Sequence, residues 1–102
     1  MPKLLAQAEI DSALTSLDGW AQVGNQLSCD FKFSDFRAAL QFVNAVGDLA
    51  EKAQHHPDML LHDYKHVRVT LTTHDAGGIT GADANLAVEI DQLITATRSG
   101  QA

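Results

Sequence analysis

Leu27-Ser28-Cys29-Asp30-Phe31-Lys32-Phe33-Ser34-Asp35-Phe36 is the stretch in which the apolar period of this chain changes, and its reading decides the fold. Up to Phe33, apolar residues alternate with Ser28, Asp30 and Lys32, the period of two expected of a strand with one buried face. From Phe36 the spacing turns helical: Phe36, Leu40, Val43, Val46 and Ala50, with Ala39 and Leu49 alongside, form one apolar stripe to about residue 53. Ser34 is a suitable N-cap, and Asp35 beside it suits the positive end of a helix dipole. Pro57 disfavours helical backbone at His56, so the helix is expected to end before it.

The same two periods recur on either side. Ile10, Ala13, Leu14 and Leu17 lie at helical spacing over residues 6–17, and Asp18-Gly19 is a stop. Trp20 to Val23 reads as a short strand and Gly24-Asn25 as a turn, which makes a hairpin with the run that follows. Downstream, Val67, Val69, Leu71 and Thr73 alternate with His66, Arg68, Thr70 and Thr72. The stretch from Asp58 to Tyr64 reads as extended, with Met59 and Leu61 turned one way. Gly77-Gly78 is a loop, and Thr80-x-x-Asp83 is an aspartate variant of the capping box that opens a last helix carrying Leu86, Ile90, Leu93 and Ile94. The order is helix, strand, strand, helix, one or two strands, helix. Short connections and a hairpin favour an α+β architecture, an antiparallel sheet with helices on one face. Its other face and free edges invite dimerisation.

At 102 residues the chain (1–102) is one domain with one modest core. With a formal net charge of −6 and seven scattered basic residues, it lacks the cluster a nucleic-acid partner requires. A single cysteine, Cys29, cannot form an internal disulfide and fits a reducing compartment. The N-terminus turns polar too soon for a signal peptide, and no apolar run reaches membrane-spanning length. A cytoplasmic location without a membrane partner is the expectation.

All five histidines lie between His55 and His74, with Asp58 and Asp63 inside that stretch, Glu51 just before it and Asp75 and Asp83 just beyond. Histidine exchanges protons near neutrality, so this clustering points to acid–base chemistry or to a metal. Metal ligation fits poorly. His62 and His66 on one strand would sit roughly 13 Å apart, at about 3.3 Å per residue. Adjacent His55 and His56 do not readily chelate one ion, and no Cys-x-x-Cys or His-Glu-x-x-His is present. Proton transfer fits better. Glu51 and His55, four apart at a helix end, should share a face, and the carboxylate and the helix C-terminus both favour a protonated imidazole. His56, before the rigid Pro57, should point elsewhere as a positioning donor. His74 ends a strand at the mouth of a loop, where functional side chains often sit.

Taken singly, each residue has a plainer role. His55 suits a helix C-terminus, Asp83 suits a cap, Tyr64 suits a sheet face, and His62 and His66 suit solvent. Their joint spacing carries the chemistry.

That spacing resembles the pterin-4a-carbinolamine dehydratases, also called 4a-hydroxytetrahydrobiopterin dehydratases. The matching residues are Glu51-Lys52-x-x-His55-His56-Pro57, Tyr64, Val67-x-Val69-x-Leu71-x-Thr73-His74 and Gly78-Ile79-Thr80-x-x-Asp83-x-x-Leu86-Ala87. Upstream, Glu9-Ile10-x-x-Ala13-Leu14, Gly19-Trp20 and Phe31-Lys32-Phe33-x-Asp35-Phe36 also match, so the resemblance covers nearly the whole chain. It implies a four-stranded antiparallel sheet with three helices packed on one face, and homodimers or homotetramers built by joining sheets.

The reaction it implies is loss of water from a 4a-hydroxytetrahydropterin to give the quinonoid dihydropterin, a step of tetrahydropterin recycling downstream of aromatic amino acid hydroxylases. By resemblance, His55 and His74 are the acid–base pair and His56 mainly binds the pterin. Glu51, Pro57, Tyr64 and Asp83 orient the substrate or the histidines. No metal or organic cofactor is implied; the pterin is the substrate. One departure is Met59, where some members carry Trp; its sulfur can still pack on a flat ring. The alternative is a retired dehydratase-like binding protein, of the transcription-factor dimerisation cofactor or Rubisco assembly factor type. Retention of His55, His56 and His74 favours the enzyme.

Overall fold

The alternating run forms a strand whose two faces have opposite fates in the computed structural model, which describes residues 3–100, with side chains through residue 95. The elements are α1 (Gln7–Thr15), β1 (Ala21–Val23), β2 (Gln26–Lys32), α2 (Phe36–Ala53), β3 (Asp58–His62), β4 (His66–Leu71) and α3 (Gly81–Gly100). The stretch after Pro57 therefore forms two strands. All four strands pair antiparallel in the order β1-β2-β4-β3.

Register follows burial. Leu27, Cys29 and Phe31 lie opposite Leu71, Val69 and Val67, and β3 adds Met59 and Leu61 to the same two rows. These side chains join Ile10 of α1, Ala39, Phe42 and Val46 of α2, and Leu86, Ala87 and Ile90 of α3 in one apolar cluster. All three helices thus cover one face of the sheet, an α+β fold. Fully burying such a Leu, Val or Phe is worth about 1.5–3 kcal/mol. A register slip of one residue would turn the whole row outward. The inner ring contacts, Phe31–Phe42 at 4.8 Å and Phe33–Phe42 at 4.9 Å between centroids, tie β2 to α2.

The structure corrects the reading of α2 in two places. Asp35, not Ser34, is the N-cap: its backbone is extended and its Oδ1 accepts the Ala38 N–H at 2.8 Å. The buried stripe is Ala39, Phe42, Val46 and Ala50, while Phe36 and Leu40 are 49% and 42% exposed. Both stripes fit a 3.6-residue period. The sheet selects the one that contains Phe42, whose ring meets Phe31 and Phe33.

At the other end of the sheet, Asp91 of α3 holds the connection between α1 and β1. Its two carboxylate oxygens accept the Trp20 Nε1–H at 2.8 Å and the Asp18 N–H at 2.9 Å. The hairpin turn after β1 places Gly24 at φ +62, a conformation side chains rarely adopt. No helix among the described residues is long and apolar enough to cross a membrane.

The outer face stays polar, with Ser28, Asp30 and Lys32 opposite Thr70, Arg68 and His66. Arg68 donates to both oxygens of Asp30, at 3.1 and 3.3 Å. That hydrogen bonding, with the nearby guanidinium charge, holds the Asp30 carboxyl below its ordinary value of 3.8. A lowered carboxyl stabilises the fold above the unfolded-state value, and the contribution fades as pH falls through the folded-state value. Both partners are about half exposed, so screening keeps the effect small. Asp30→Asn is expected to cost at most about 1 kcal/mol at pH 7, a cost that fades as pH falls through the folded-state value of Asp30, read by urea denaturation across an acid pH series.

Candidate active site

Where α2 stops decides which histidine meets which carboxylate. The helix ends at Ala53, and Gln54 adopts the left-handed conformation at φ 54, ψ 41. The His55 N–H then closes back onto Ala50 O at 3.1 Å, a Schellman-type turn that satisfies the last carbonyls. This reversal breaks the four-residue relation between Glu51 and His55, so the expected pairing of those two does not form. Glu51 Oε2 instead lies 2.5 Å from His56 Nε2, on an exposed surface. His55 turns inward, and its Nε2 lies 2.5 Å from Asp83 Oδ1. The two adjacent histidines therefore differ in kind: the His55 side chain is 15% exposed and that of His56 is 63% exposed. Pro57, half-buried, joins this pair to β3.

Asp83 is fully buried, with no exposed side-chain surface, and every contact explains why it stays there. Its Oδ2 accepts the Thr80 N–H at 2.8 Å, which is the reciprocal half of the capping box that starts α3. The same oxygen accepts the Thr73 hydroxyl at 2.8 Å, and Thr73 Oγ1 lies 2.7 Å from Thr80 Oγ1. Thr80 Oγ1 in turn accepts the Ala82 N–H at 3.3 Å. One carboxylate thus caps a helix with one oxygen and holds His55 with the other. A buried charge with this many donors is a satisfied one.

His74 is fixed to that network through the backbone. Thr73 pairs with Gly78, donating its N–H to Gly78 O at 2.8 Å, and its carbonyl accepts from Ala76 and Gly77, both at 3.0 Å. The enclosed 3-10 turn, His74–Ala76, presents His74 at the surface, and Gly77 closes it at φ +77. Three sequence-selected residues, His55, Asp83 and His74, are therefore tied to one node at Thr73. His56 and Glu51 form a separate, exposed pair.

Tyr64 stands apart. It sits in the turn between β3 and β4 at φ 52, 60% exposed, with Lys65 Nζ 5.4 Å from its ring centroid. His55-His56-Pro57 adjoin the opposite end of β3, and four residue steps from Asp58 to His62 span roughly 13 Å. Within one chain, Tyr64 is not brought to the cluster. Met59 faces the core rather than the histidines.

His62 and His66 are also corrected. They do not sit far apart on one strand; the hairpin places them opposite each other, with rings stacked at 5.3 Å and 23°. His62 Nδ1 meets Asp63 Oδ2 at 3.1 Å, and its Nε2 is buried without a hydrogen-bond partner, 3.7 Å from Asp30 Oδ1. Reading Asp63-Tyr64-Lys65 as a turn would have found this pair. Among the described residues no three His, Cys, Asp or Glu side chains are grouped to hold a metal ion. A groove of about 700 Å³, lined in part by Leu17, Asp18, Cys29, Phe31, Asp91 and Ile94, contains none of the histidines.

Comparison with known proteins identifies the family and the fold. The family model described as pterin 4 alpha carbinolamine dehydratase matches residues 3–93. A provisionally named pterin-4-alpha-carbinolamine dehydratase of Trichormus variabilis is 47% identical over 93 residues, 91% of this chain and 99% of the relative. One from Sulfurisphaera tokodaii is 45% identical with the same coverage of both chains. Among solved structures, a transcriptional coactivator/pterin dehydratase from Brucella melitensis superposes with a TM-score of 0.83 at 36% identity, covering 88% of this chain and 97% of that one. A pterin dehydratase-like RuBisCO assembly factor of the alpha-carboxysome shares the fold at a TM-score of 0.61 and 24% identity, over 74% of this chain and 89% of its own. Matched along nearly its whole length, the chain belongs to the pterin-4-alpha-carbinolamine dehydratase family.

Proposed function

We propose that the protein removes water from a 4a-hydroxytetrahydropterin to give the quinonoid dihydropterin. The observation that carries this reading is the tie between His55 and the buried Asp83, with His74 one residue beyond the threonine that supports the same carboxylate. The cap would serve any member of the fold; the second oxygen, spent on orienting an imidazole, suits a proton carrier.

Chemically, the C4a–O bond breaks and its oxygen leaves as water, so an acid must supply a proton to the hydroxyl. The N5–H bond breaks as C4a=N5 forms, so a base must accept that proton. His55 and His74 take these two roles, and one proton is returned to solvent for each proton donated. Asp83 accepts from His55 Nε2, which leaves Nδ1 as the atom that faces the reaction, and it compensates charge on the ring whenever both nitrogens are protonated. His56, held by Glu51, and Pro57 border the substrate. The proton transfers need no resident metal or organic cofactor.

An aromatic amino acid hydroxylase is the proposed source of the substrate, and the cytoplasm the proposed location. The free edges of β1 and β3, with the polar outer face, support a homodimer or homotetramer formed by joining sheets. Tyr64 would then contribute only if a second copy brings it to the histidines.

The test is to follow the ultraviolet absorbance of enzymatically generated 4a-hydroxytetrahydropterin with and without the protein. Acceleration proportional to protein concentration supports the dehydratase. No acceleration by folded protein would reject it and favour a binding role.

A further inference from the structure

We propose that Thr73 is the positioning residue that fixes both proton carriers, through a one-way chain of hydroxyl hydrogen bonds that sets the tautomer of His55. This rests on the acid–base reading above, but its structural part stands on donor counting around Asp83 as an ionised carboxylate.

A threonine hydroxyl has one hydrogen to give. Thr73 Oγ1 gives its hydrogen to Asp83 Oδ2. The 2.7 Å contact between the two threonine hydroxyls must then run from Thr80 to Thr73. Thr80 Oγ1 has spent its hydrogen and accepts from the Ala82 N–H. The direction is therefore set along the whole chain: Ala82 N–H to Thr80, Thr80 to Thr73, Thr73 to Asp83. With the Thr80 N–H also on Oδ2, that oxygen is fully engaged by donors. These two donors hold the carboxylate so that Oδ1 meets His55 Nε2, and an oxygen of an ionised carboxylate can only accept. The ring is thus held with hydrogen on Nε2 and Nδ1 facing outward.

Location makes the chain effective. Thr73 and Thr80 are 8% and 2% exposed and Asp83 is 0% exposed, so water cannot stand in for a lost hydroxyl without opening the site. The backbone of Thr73 does a second job, because its N–H and carbonyl close the 3-10 turn that carries His74. One residue accordingly sets the tautomer of one histidine with its side chain and the placement of the other with its main chain. Valine at this position keeps the backbone and the shape but removes the hydroxyl; serine keeps the hydroxyl.

The experiment combines two readouts on wild type, Thr73→Val, Thr73→Ser and Thr80→Val. Long-range ¹⁵N–¹H NMR of labelled protein reports which nitrogen of His55 carries hydrogen at a pH where the ring is neutral. Steady-state rates report kcat and KM separately. Wild type is expected to show the Nε2–H form at His55. Thr73→Val should give a mixed tautomer population and a kcat about tenfold lower with KM changed less than twofold. Thr73→Ser should restore both, and Thr80→Val should shift both in the same direction by less. An unchanged His55 tautomer and kcat in folded Thr73→Val would overturn the proposal, as would a wild-type His55 with hydrogen on Nδ1. If Thr73→Val does not fold, Thr80→Val and Thr73→Ser decide: no tautomer shift in the former, or a shift in the latter as large as in the former, overturns it. Should wild type show no turnover while the tautomer responds as stated, the dehydratase reading fails and the positioning role stands.

Discussion

His55→Ala is expected to lower kcat for 4a-hydroxytetrahydropterin dehydration by about 10²–10⁴-fold, the usual worth of one positioned proton carrier. The imidazole cannot be replaced by its neighbours. His56 is turned away onto Glu51, and His74 is held in its own turn. The variant should also lose about 1–3 kcal/mol of stability, because removing the ring leaves the buried Oδ1 of Asp83 without its donor while the other two donors stay on Oδ2. Thermal denaturation and stopped-flow absorbance on the same preparation check both halves of this expectation. A variant with at least a third of wild-type kcat would show that the Asp83-bound histidine is not a proton carrier.

Asp83→Ala should have the largest effect on the fold of any single polar substitution argued from this site. It removes the acceptor for the Thr80 N–H, the Thr73 hydroxyl and His55 Nε2 at once, and water has no open route to replace it. A lost helix cap together with unsatisfied buried donors costs about 2–4 kcal/mol. Asp83→Asn separates the structural role from the chemical one. The amide oxygen can still accept at the cap, so about half of the stability should return, while the charge that faces His55 does not. Activity is accordingly expected to stay at least tenfold down in the asparagine variant. Urea denaturation and turnover measured together read the two roles independently. A stability loss below about 1 kcal/mol for the alanine variant would mean that the buried network contributes nothing net.

The fold was legible because two periods dominate the chain. Alternation at Leu27–Phe33 and Val67–Leu71 fixed which side chains face the helices, and these are the buried rows of the sheet. Details that depend on tertiary choice were not legible. Two apolar stripes on α2 satisfy the same period, and only contact with Phe31 and Phe33 selects the one through Phe42. The helix stop was visible at Pro57, yet the left-handed Gln54 was not, and that single residue redirects Glu51 from His55 to His56.

At the candidate site the sequence offered residues to consider, and not their partners. His55 and Asp83 are 28 positions apart, and nothing in their spacing pairs them before the sheet forms. Asp83 was recognisable as a cap because capping is a local pattern; its second oxygen answers to a long-range neighbour. Thr73 and Thr80 looked like a sheet residue and a cap, since hydroxyl direction emerges only when every donor has been counted. The His62–His66 pair was obscured by the same limit, a turn at Asp63-Tyr64-Lys65 whose positive φ values at Asp63 and Tyr64 carry no glycine signal.

The most direct measurement is the single-turnover rate of 4a-hydroxytetrahydropterin loss for folded wild type, His55→Ala, His74→Ala and the double variant, against the reaction without protein. Proton transfer by this pair predicts a large wild-type acceleration, a fall of at least tenfold in each single variant, and a double variant close to the uncatalysed rate. A double variant that keeps most of the wild-type acceleration would contradict it and send the chemistry to other residues.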